Sequence, residues 1–245
     1  MEHQLYISYC GVGIPSSSQW HLNQQVEMQR LYYILGGSGG YYDQSGHLQS
    51  FDKGQIYLFP YNLYQQFVSD AQNPVRHLYF DFLSTPPVIA PATIKIDVSR
   101  NPELKSALEL AIQILSVRPK SSLPESPLCT NLLQLLLSLI QERHPLPFHT
   151  DSVVCQCLET IQNNFSQPLT VSQLAADAGF EQNYFIRRFR NIMQQTPYAY
   201  LRNYRLIQAR KLLQAGLSMS EVAVKVGFEC PASLGRALRQ TSRKM

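Results

Sequence analysis

The sequence predicts an α+β chain, an antiparallel β-barrel followed by an all-α region, on three observations. Up to about Ile96, short β-rich runs are cut at even spacing by turn residues, the pattern of an antiparallel sandwich or of a small barrel. From Asn101 onward the apolar residues recur at helical spacing instead. Beyond Thr170 one helical pattern occurs twice. The 245 residues are enough for two domains with real cores. A hydrophobic fraction of 44% with 16% charged residues excludes a disordered chain, and 12 Gly with 15 Pro exclude a collagen-like one.

The strands come first. Leu31-Tyr32-Tyr33-Ile34-Leu35 ends in the run Gly36 to Gly40, and Tyr41-Tyr42 meets Asp43-Gln44-Ser45-Gly46. Gln55 to Phe59 stops at Pro60, Tyr64 to Val68 stops before Asn73-Pro74, and Val75 to Phe82 stops at Pro86-Pro87. In that last strand Leu78, Phe80 and Phe82 share one face, and His77, Tyr79 and Asp81 share the other. The polar-aromatic face either lines the barrel, where it would suit a hydroxylated small molecule such as a sugar, or faces solvent. Trp20, Tyr33 and Tyr42 would add rings to such a pocket, although the sequence does not say which way they point. His21, His47 and His77 stand singly, with no His-x-His pair, so no metal site and no cofactor is expected. Gly36 to Gly40 lacks the Lys-Ser/Thr of a phosphate loop and reads as a hairpin turn.

Two helices follow. Asn101 caps the first, Pro102 opens it, and Leu104, Leu108, Ala111, Ile112 and Leu115 keep the spacing until Arg118-Pro119. The second runs from about Ser126 to Arg143 and is apolar nearly all round. Either the monomer buries it or it forms a helix-helix contact in a homodimer. His144-Pro145-Leu146-Pro147 cannot continue a helix and marks a linker.

Charge is divided unevenly along the chain. Residues 1–143 hold 9 Lys+Arg against 11 Asp+Glu, a net −2, whereas residues 144–245 hold 12 against 6, a net +6. Only the second part is suited to a polyanion. The most apolar stretch, Leu132 to Ile140, is far short of the ~20 residues of a membrane span. The start Met1-Glu2-His3-Gln4 lacks the basic segment and apolar core of an export signal, so a cytoplasmic location is expected. The five scattered cysteines agree with a reducing compartment.

The repeat is the most specific feature. Thr170 caps a helix carrying Val171, Leu174, Ala175 and Ala178, ended by Gly179-Phe180. From Thr170, 48 residues on, Ser218 caps Met219, Val222, Ala223 and Val226, ended by Gly227-Phe228. Each Gly-Phe precedes a two-faced helix. In the first, Phe185, Phe189 and Ile192 point inward and Gln182, Asn183, Ile186, Arg187 and Arg190 outward. In the second, Leu234 and Leu238 point inward, and Pro231, Ala232, Arg236 and Arg239 outward, with the small Gly235 among them. Short helix, Gly turn and Arg-bearing helix is the helix-turn-helix layout, whose second helix enters the major groove. Arg forks onto guanine or phosphate, and Asn onto adenine. Between the copies, a helix from Pro197 to Ala215 would be roughly 27 Å long, comparable to the ~34 Å between major-groove faces on one side of DNA.

These residues resemble the DNA-binding domain of AraC/XylS-type bacterial transcription regulators, from about Pro168 to Arg239 with the leading helix Val153 to Phe165. The resemblance rests on Leu174-Ala175, Gly179-Phe180, Phe185-Ile186-Arg187-Arg188-Phe189, Thr196-Pro197 with Tyr200-Leu201, Arg205-Leu206 with Ala209-Arg210 and Leu212-Leu213, and Val222-Ala223 with Gly227-Phe228. It implies seven helices, two helix-turn-helix units, an RNA polymerase partner and transcriptional control, usually activation. Gln194 stands where the family has Gly, and the chain stops at Arg243-Lys244-Met245, where the family continues with Gly-x-x-Pro and a last short helix. Gly36 to Phe82 resembles, more loosely, the cupin-like sensor barrel that such regulators often carry.

The expected organisation is therefore a cupin-like ligand-sensing barrel over residues 1–98, a helical dimerisation and linker segment over 99–149, and a DNA-binding domain over 150–245. The expected function is a ligand-responsive regulator that binds double-stranded DNA as a homodimer, takes a small effector such as a sugar, and activates genes of carbohydrate metabolism. The rival is a cupin-type barrel enzyme with a helical accessory domain. No Ser/His/Asp grouping, paired carboxylate motif or metal spacing supports that rival.

Overall fold

A computed structural model of the chain describes residues 4–14, 24–25, 28–61, 63–117 and 126–243. It divides into two compact units, Met1–His149 and Thr150–Met245.

The first unit holds strands β1 (Gln4–Gly13), β2 (Gln24–Gln25), β3 (Gln29–Gly36), β4 (Gly39–Tyr42), β5 (Leu48–Ser50), β6 (Gln55–Phe59), β7 (Tyr64–Ser69), β8 (Arg76–Thr85) and β9 (Ile94–Asp97), then helices α1 (Pro102–Ser116) and α2 (Pro127–Arg143). The strands form two antiparallel sheets, ordered β1-β8-β3-β6-β9 and β2-β7-β4-β5. Among the described residues the sheets are not closed into the expected barrel. Inward-outward alternation is the same in a sandwich and in a barrel, so the sequence pattern could not separate them; only pairing between the edge strands does.

The five-stranded sheet buries both faces, each with its own core. Leu31, Ile56, Leu58, Leu78, Phe80, Phe82 and Ile96 pack against Leu104, Leu108 and Ala111 of α1 and Leu132, Leu133, Leu136 and Ile140 of α2. The opposite face meets the four-stranded sheet through an aromatic cluster: Tyr32, Phe59 and Phe67 lie with ring centroids 5.0 to 5.6 Å apart, two of the three contacts edge-on.

Burial inside the unit therefore accounts for the leucines of α2. Asn131, Gln134, Ser138 and Gln141 occupy its exposed side, joined by Leu135 at 43% exposure. Asn101 ties the pair of helices together, accepting from the Leu104 N–H at 3.0 Å while its amide donates to the Leu139 carbonyl at 3.3 Å. The stretch expected to be a free linker is partly docked. Leu146 is buried, Phe148 bridges Val88, and the His149 N–H donates to the Pro87 carbonyl.

The second unit holds α3 (Ser152–Asn164), α4 (Val171–Asp177), α5 (Gln182–Met193), α6 (Pro197–Gln214), α7 (Met219–Lys225) and α8 (Pro231–Arg243). Its described residues thus form six of the seven helices that the resemblance implied.

Phe80 is wholly buried between sheet and helices. Phe80→Ala is expected to cost about 3–5 kcal/mol. Urea unfolding followed by far-ultraviolet circular dichroism checks it, and a loss below about 1 kcal/mol would contradict the two-faced sheet.

Candidate nucleic-acid interface

The two short helices α4 and α7 begin with the same bonds. Thr170 and Gln173 exchange hydrogen bonds at the start of α4, as Ser218 and Glu221 do at the start of α7, and each pair forms a full capping box. They also end alike. Phe180 N–H donates to the Ala175 carbonyl and Phe228 N–H to the Ala223 carbonyl, both at 2.9 Å. Gly179 and Gly227 take φ of 75° and 73°, the left-handed conformation that this closure needs and that glycine adopts without strain. The sequence repeat is therefore a repeat of backbone geometry.

Behind each turn a buried seam fixes the next helix. Phe185, Phe189 and Met193 of α5 are buried with Leu174 and Ala175, and Phe189 meets Tyr200 of α6 at 6.1 Å. Leu234 and Ala237 of α8 are buried with Val222, Ala223 and Val226, and Leu206 and Ala209 of α6 complete that core. Met193 and Ala237 are the inward residues that spacing alone had passed over, while Ile192 and Leu238 are only partly buried. At 100° per residue Met193 lies 40° from Phe189 and Ala237 lies 60° from Leu234, so both fall within the buried stripe.

The opposite faces are open. Gln182, Asn183, Arg187 and Arg190 of α5 are exposed, with Ile186 partly so. Pro231, Ala232, Arg236 and Arg239 of α8 are exposed too, with Gly235 between them. The outward residues expected from the sequence thus share one side of each helix.

The helix starts differ in charge. Glu181 caps α5, accepting from the Asn183 and Tyr184 N–H groups at 2.9 and 3.0 Å, and these bonds hold its carboxyl below the ordinary glutamate value. At the matching place before α8 stands the exposed Cys230, whose thiol is lowered by hydrogen bonds from Ser233 and then by Arg236. Arg188 turns away from the open face. Its Nε and Nη2 donate to Asp151 Oδ2 at 3.1 and 2.7 Å, and the guanidinium lies 5.6 Å from the Phe180 ring. Sequence reading quoted Arg188 only as part of a motif; its role needs α3 beside α5, which no local pattern reveals.

α5 ends on Gln194 at φ 56°, a left-handed position held by a residue with a side chain. Here the family pattern has glycine, so the departure noted in the sequence carries backbone strain.

In the first unit, His77 is 3% exposed, its ring 4.6 Å from Tyr32 and 5.3 Å from Tyr79. His77 is thus buried while Tyr79 and Asp81 are half-buried, so this face turns away from open solvent. Burial pushes Tyr79 up to about 12 and Asp81 above the ordinary aspartate value, with Arg30 pulling the latter back. Arg30 Nε lies 3.5 Å from Asp81 Oδ1, and its guanidinium 5.4 Å from the Phe67 ring. Arg30 was missed because only the strand register, which sets it directly opposite Asp81, brings the two together.

Tyr33 does not join this group: it packs on the helix side of its sheet. Tyr42 does not either, because its neighbour Tyr41 is the one that faces the aromatic cluster. Trp20 lies outside the described residues.

Residues 174–244 match the family model described as a helix-turn-helix domain. An uncharacterized HTH-type transcriptional regulator of Bacillus subtilis, YbfI, is 27% identical over 129 residues, 51% of this chain and 46% of that protein. The transcriptional regulatory protein HptR of Staphylococcus aureus is 31% identical over 80 residues, 33% of this chain and 32% of that protein. The chain thus spans less than half the length of these relatives. Among solved structures, ToxT of Vibrio cholerae with an unsaturated fatty acid bound aligns with 98% of this chain and 91% of its own, at a TM-score of 0.56 and 9% identity. That likeness is one of fold.

Two measurements follow from the caps. Gln194→Gly is expected to stabilise the second unit by roughly 0.5–1 kcal/mol, the left-handed strain relieved exceeding the extra chain entropy of glycine; a lower thermal midpoint would contradict this. Glu181 and Glu221 are both held below the ordinary glutamate value. The stabilisation they give is complete above that value and drains away as pH falls through the lowered ones. Relative to intrinsic exchange at the same pH, protection of the Asn183, Tyr184 and Ser218 amides is expected to fall selectively on acidification below about pH 4, and Glu181→Gln to flatten that response for the first two.

Proposed function

From the premise that the second unit is a helix-turn-helix domain of the AraC/XylS type, we propose that the chain is a DNA-binding transcription regulator that sets α5 and α8 in neighbouring major-groove segments of one duplex. The observation that carries this reading is the doubled capping box, glycine turn and open Arg-bearing helix, inside the part of the chain with the net charge of +6. α5 is the base reader, because Asn183, Arg187 and Arg190 have the forked donors that read purine edges. α8 mainly grips backbone, since Pro231, Ala232 and Gly235 offer bases little and Arg236 and Arg239 suit phosphate. Activation through RNA polymerase and action as a homodimer in the cytoplasm belong to the same proposal, on the family resemblance.

The interior polar group of the first unit is proposed as the sensor. Its ligand class is a hydroxylated small molecule such as a sugar, which the imidazole, phenol and carboxylate of His77, Tyr79 and Asp81 would hydrogen-bond while the rings stack. Control of carbohydrate genes follows from that class. A fatty acid is the second reading, favoured by the aromatic cluster and by the ligand named for ToxT. Against it, Arg30 is already paired with Asp81, so among the described residues this site presents no free cation for a carboxylate.

DNA binding is tested by the salt dependence of the full chain on genomic fragments. Two to four phosphate contacts give a slope of log K against log salt of about −2 to −4, and a flat response would remove the reading. Arg187→Ala is expected to cost about 1–3 kcal/mol and to relax preference at one or two base pairs, whereas Arg239→Ala weakens all sequences alike. Thermal shift against a panel of sugars and one of fatty acids identifies the ligand class, and Tyr79→Ala is expected to abolish the shift. A ligand that stabilises wild type and variant equally would place the sensor elsewhere.

A further inference from the structure

The 48-residue offset between the two units raises the question of what fixes one recognition helix relative to the other. α6 joins them covalently, and it packs against α3, α5, α7 and α8. A single connecting helix, however, leaves each unit able to roll about it. A second connection runs through α3. At its N-terminus, Asp151 uses its two oxygens separately: Oδ1 accepts from the Val154 N–H at 3.1 Å and caps α3, while Oδ2 takes the two bonds from Arg188 of α5. At its C-terminus, the carbonyls of Phe165 and Gln167 each accept from Arg205 of α6 at 2.7 Å, through Nε and Nη2.

The glycine turn ahead of α8 seats on that same end. A Cβ on Gly227 would lie 2.8 Å from the Ser166 carbonyl oxygen and 3.0 Å from both the Phe165 carbonyl oxygen and Arg205 Nη2. The second helix-turn-helix is thus pressed against the carbonyls that Arg205 organises. Between its ends α3 is held to α6 by the Gln162 amide donating to the Tyr200 hydroxyl at 3.2 Å, and by Phe165 against Tyr204 at 5.3 Å. At 1.5 Å per residue, the 13 residues of α3 span about 20 Å.

We propose that α3 is a strut: clamped to the first recognition helix through Arg188–Asp151 and to the turn before the second through Arg205 and Gly227, it fixes the spacing and phase at which the two units meet DNA. Arg188 and Arg205 are positioning residues. Neither is on the open face, and each acts through α3. The inference rests on the proposed DNA reading and adds to it a determinant of half-site spacing that lies away from the DNA.

The test uses the full chain and a 30-bp duplex enriched by the wild-type protein from a randomised pool. Derivatives carry one to five base pairs inserted between the two protected halves. Because five base pairs turn the second half to the far side of the duplex, wild type is expected to lose roughly 30-fold or more on that insertion. Arg205→Ala is expected to bind the parent duplex about tenfold more weakly yet to lose less than about threefold further on insertion, since its two units no longer hold one phase. Arg188→Ala is expected to do the same, and Arg205→Lys, which keeps one of the two carbonyl bonds, to fall between. General destabilisation would instead lower affinity for every duplex by a common factor, leaving the spacing profile of wild type; that result overturns the strut, even with reduced helical circular dichroism in the variants. Failure of wild type to enrich any duplex would remove the DNA reading itself, and the strut with it.

Discussion

Both helix-turn-helix units depend on one backbone constraint: the chain leaves each short helix through a residue of positive φ, which lets it turn steeply into the next helix. Gly179 and Gly227 do this, and the carbonyl groups orphaned at the ends of α4 and α7 are satisfied by the same closure. With the angle set, the apolar residues of α5 and α8 fall onto a seam and the polar ones fall outside. Gly227 carries a second demand, since the Phe165 and Ser166 carbonyls leave no room for a side chain. The exposed face is thus a by-product of how the buried one is closed.

The first unit solves a different problem. A sheet with one polar and one apolar face ordinarily turns the polar face to water. Here α1 and α2 cover the apolar side, and the four-stranded sheet covers the other. Arg30, His77, Tyr79 and Asp81 are then polar groups largely withdrawn from solvent, in surroundings where each hydrogen bond counts for more and each missing one costs more. Ion pairing of Arg30 with Asp81 keeps charge balanced in that interior.

Legibility in the sequence followed the range of the interactions. Capping boxes, glycine turns and helical seams are local, so the second unit, down to the outward placement of Arg187, Arg190, Arg236 and Arg239, was readable from residue types and spacing. Alternation along β8 sorted Leu78 from Tyr79 correctly for the same reason. What was not readable involved partners far apart in the chain. Barrel or sandwich depends on edge pairing, Arg30 depends on register with Asp81, and Arg188 depends on α3. Tyr33 and Tyr42 are candidate pocket rings with no orientation fixed by the sequence, and each stands one residue out of phase with the aromatic cluster.

The separation between residues that hold the helices and residues that face outward has an evolutionary consequence. On α5, Phe185, Phe189 and Met193 carry the packing and Glu181 the cap, while Asn183, Arg187 and Arg190 touch no core. Substitutions at the second set leave the fold's stability nearly untouched, so target preference is free to drift by single steps. On α8 the outward set is already small, and larger polar side chains at Ala232 or Gly235 would add outward donors and acceptors without rebuilding the scaffold.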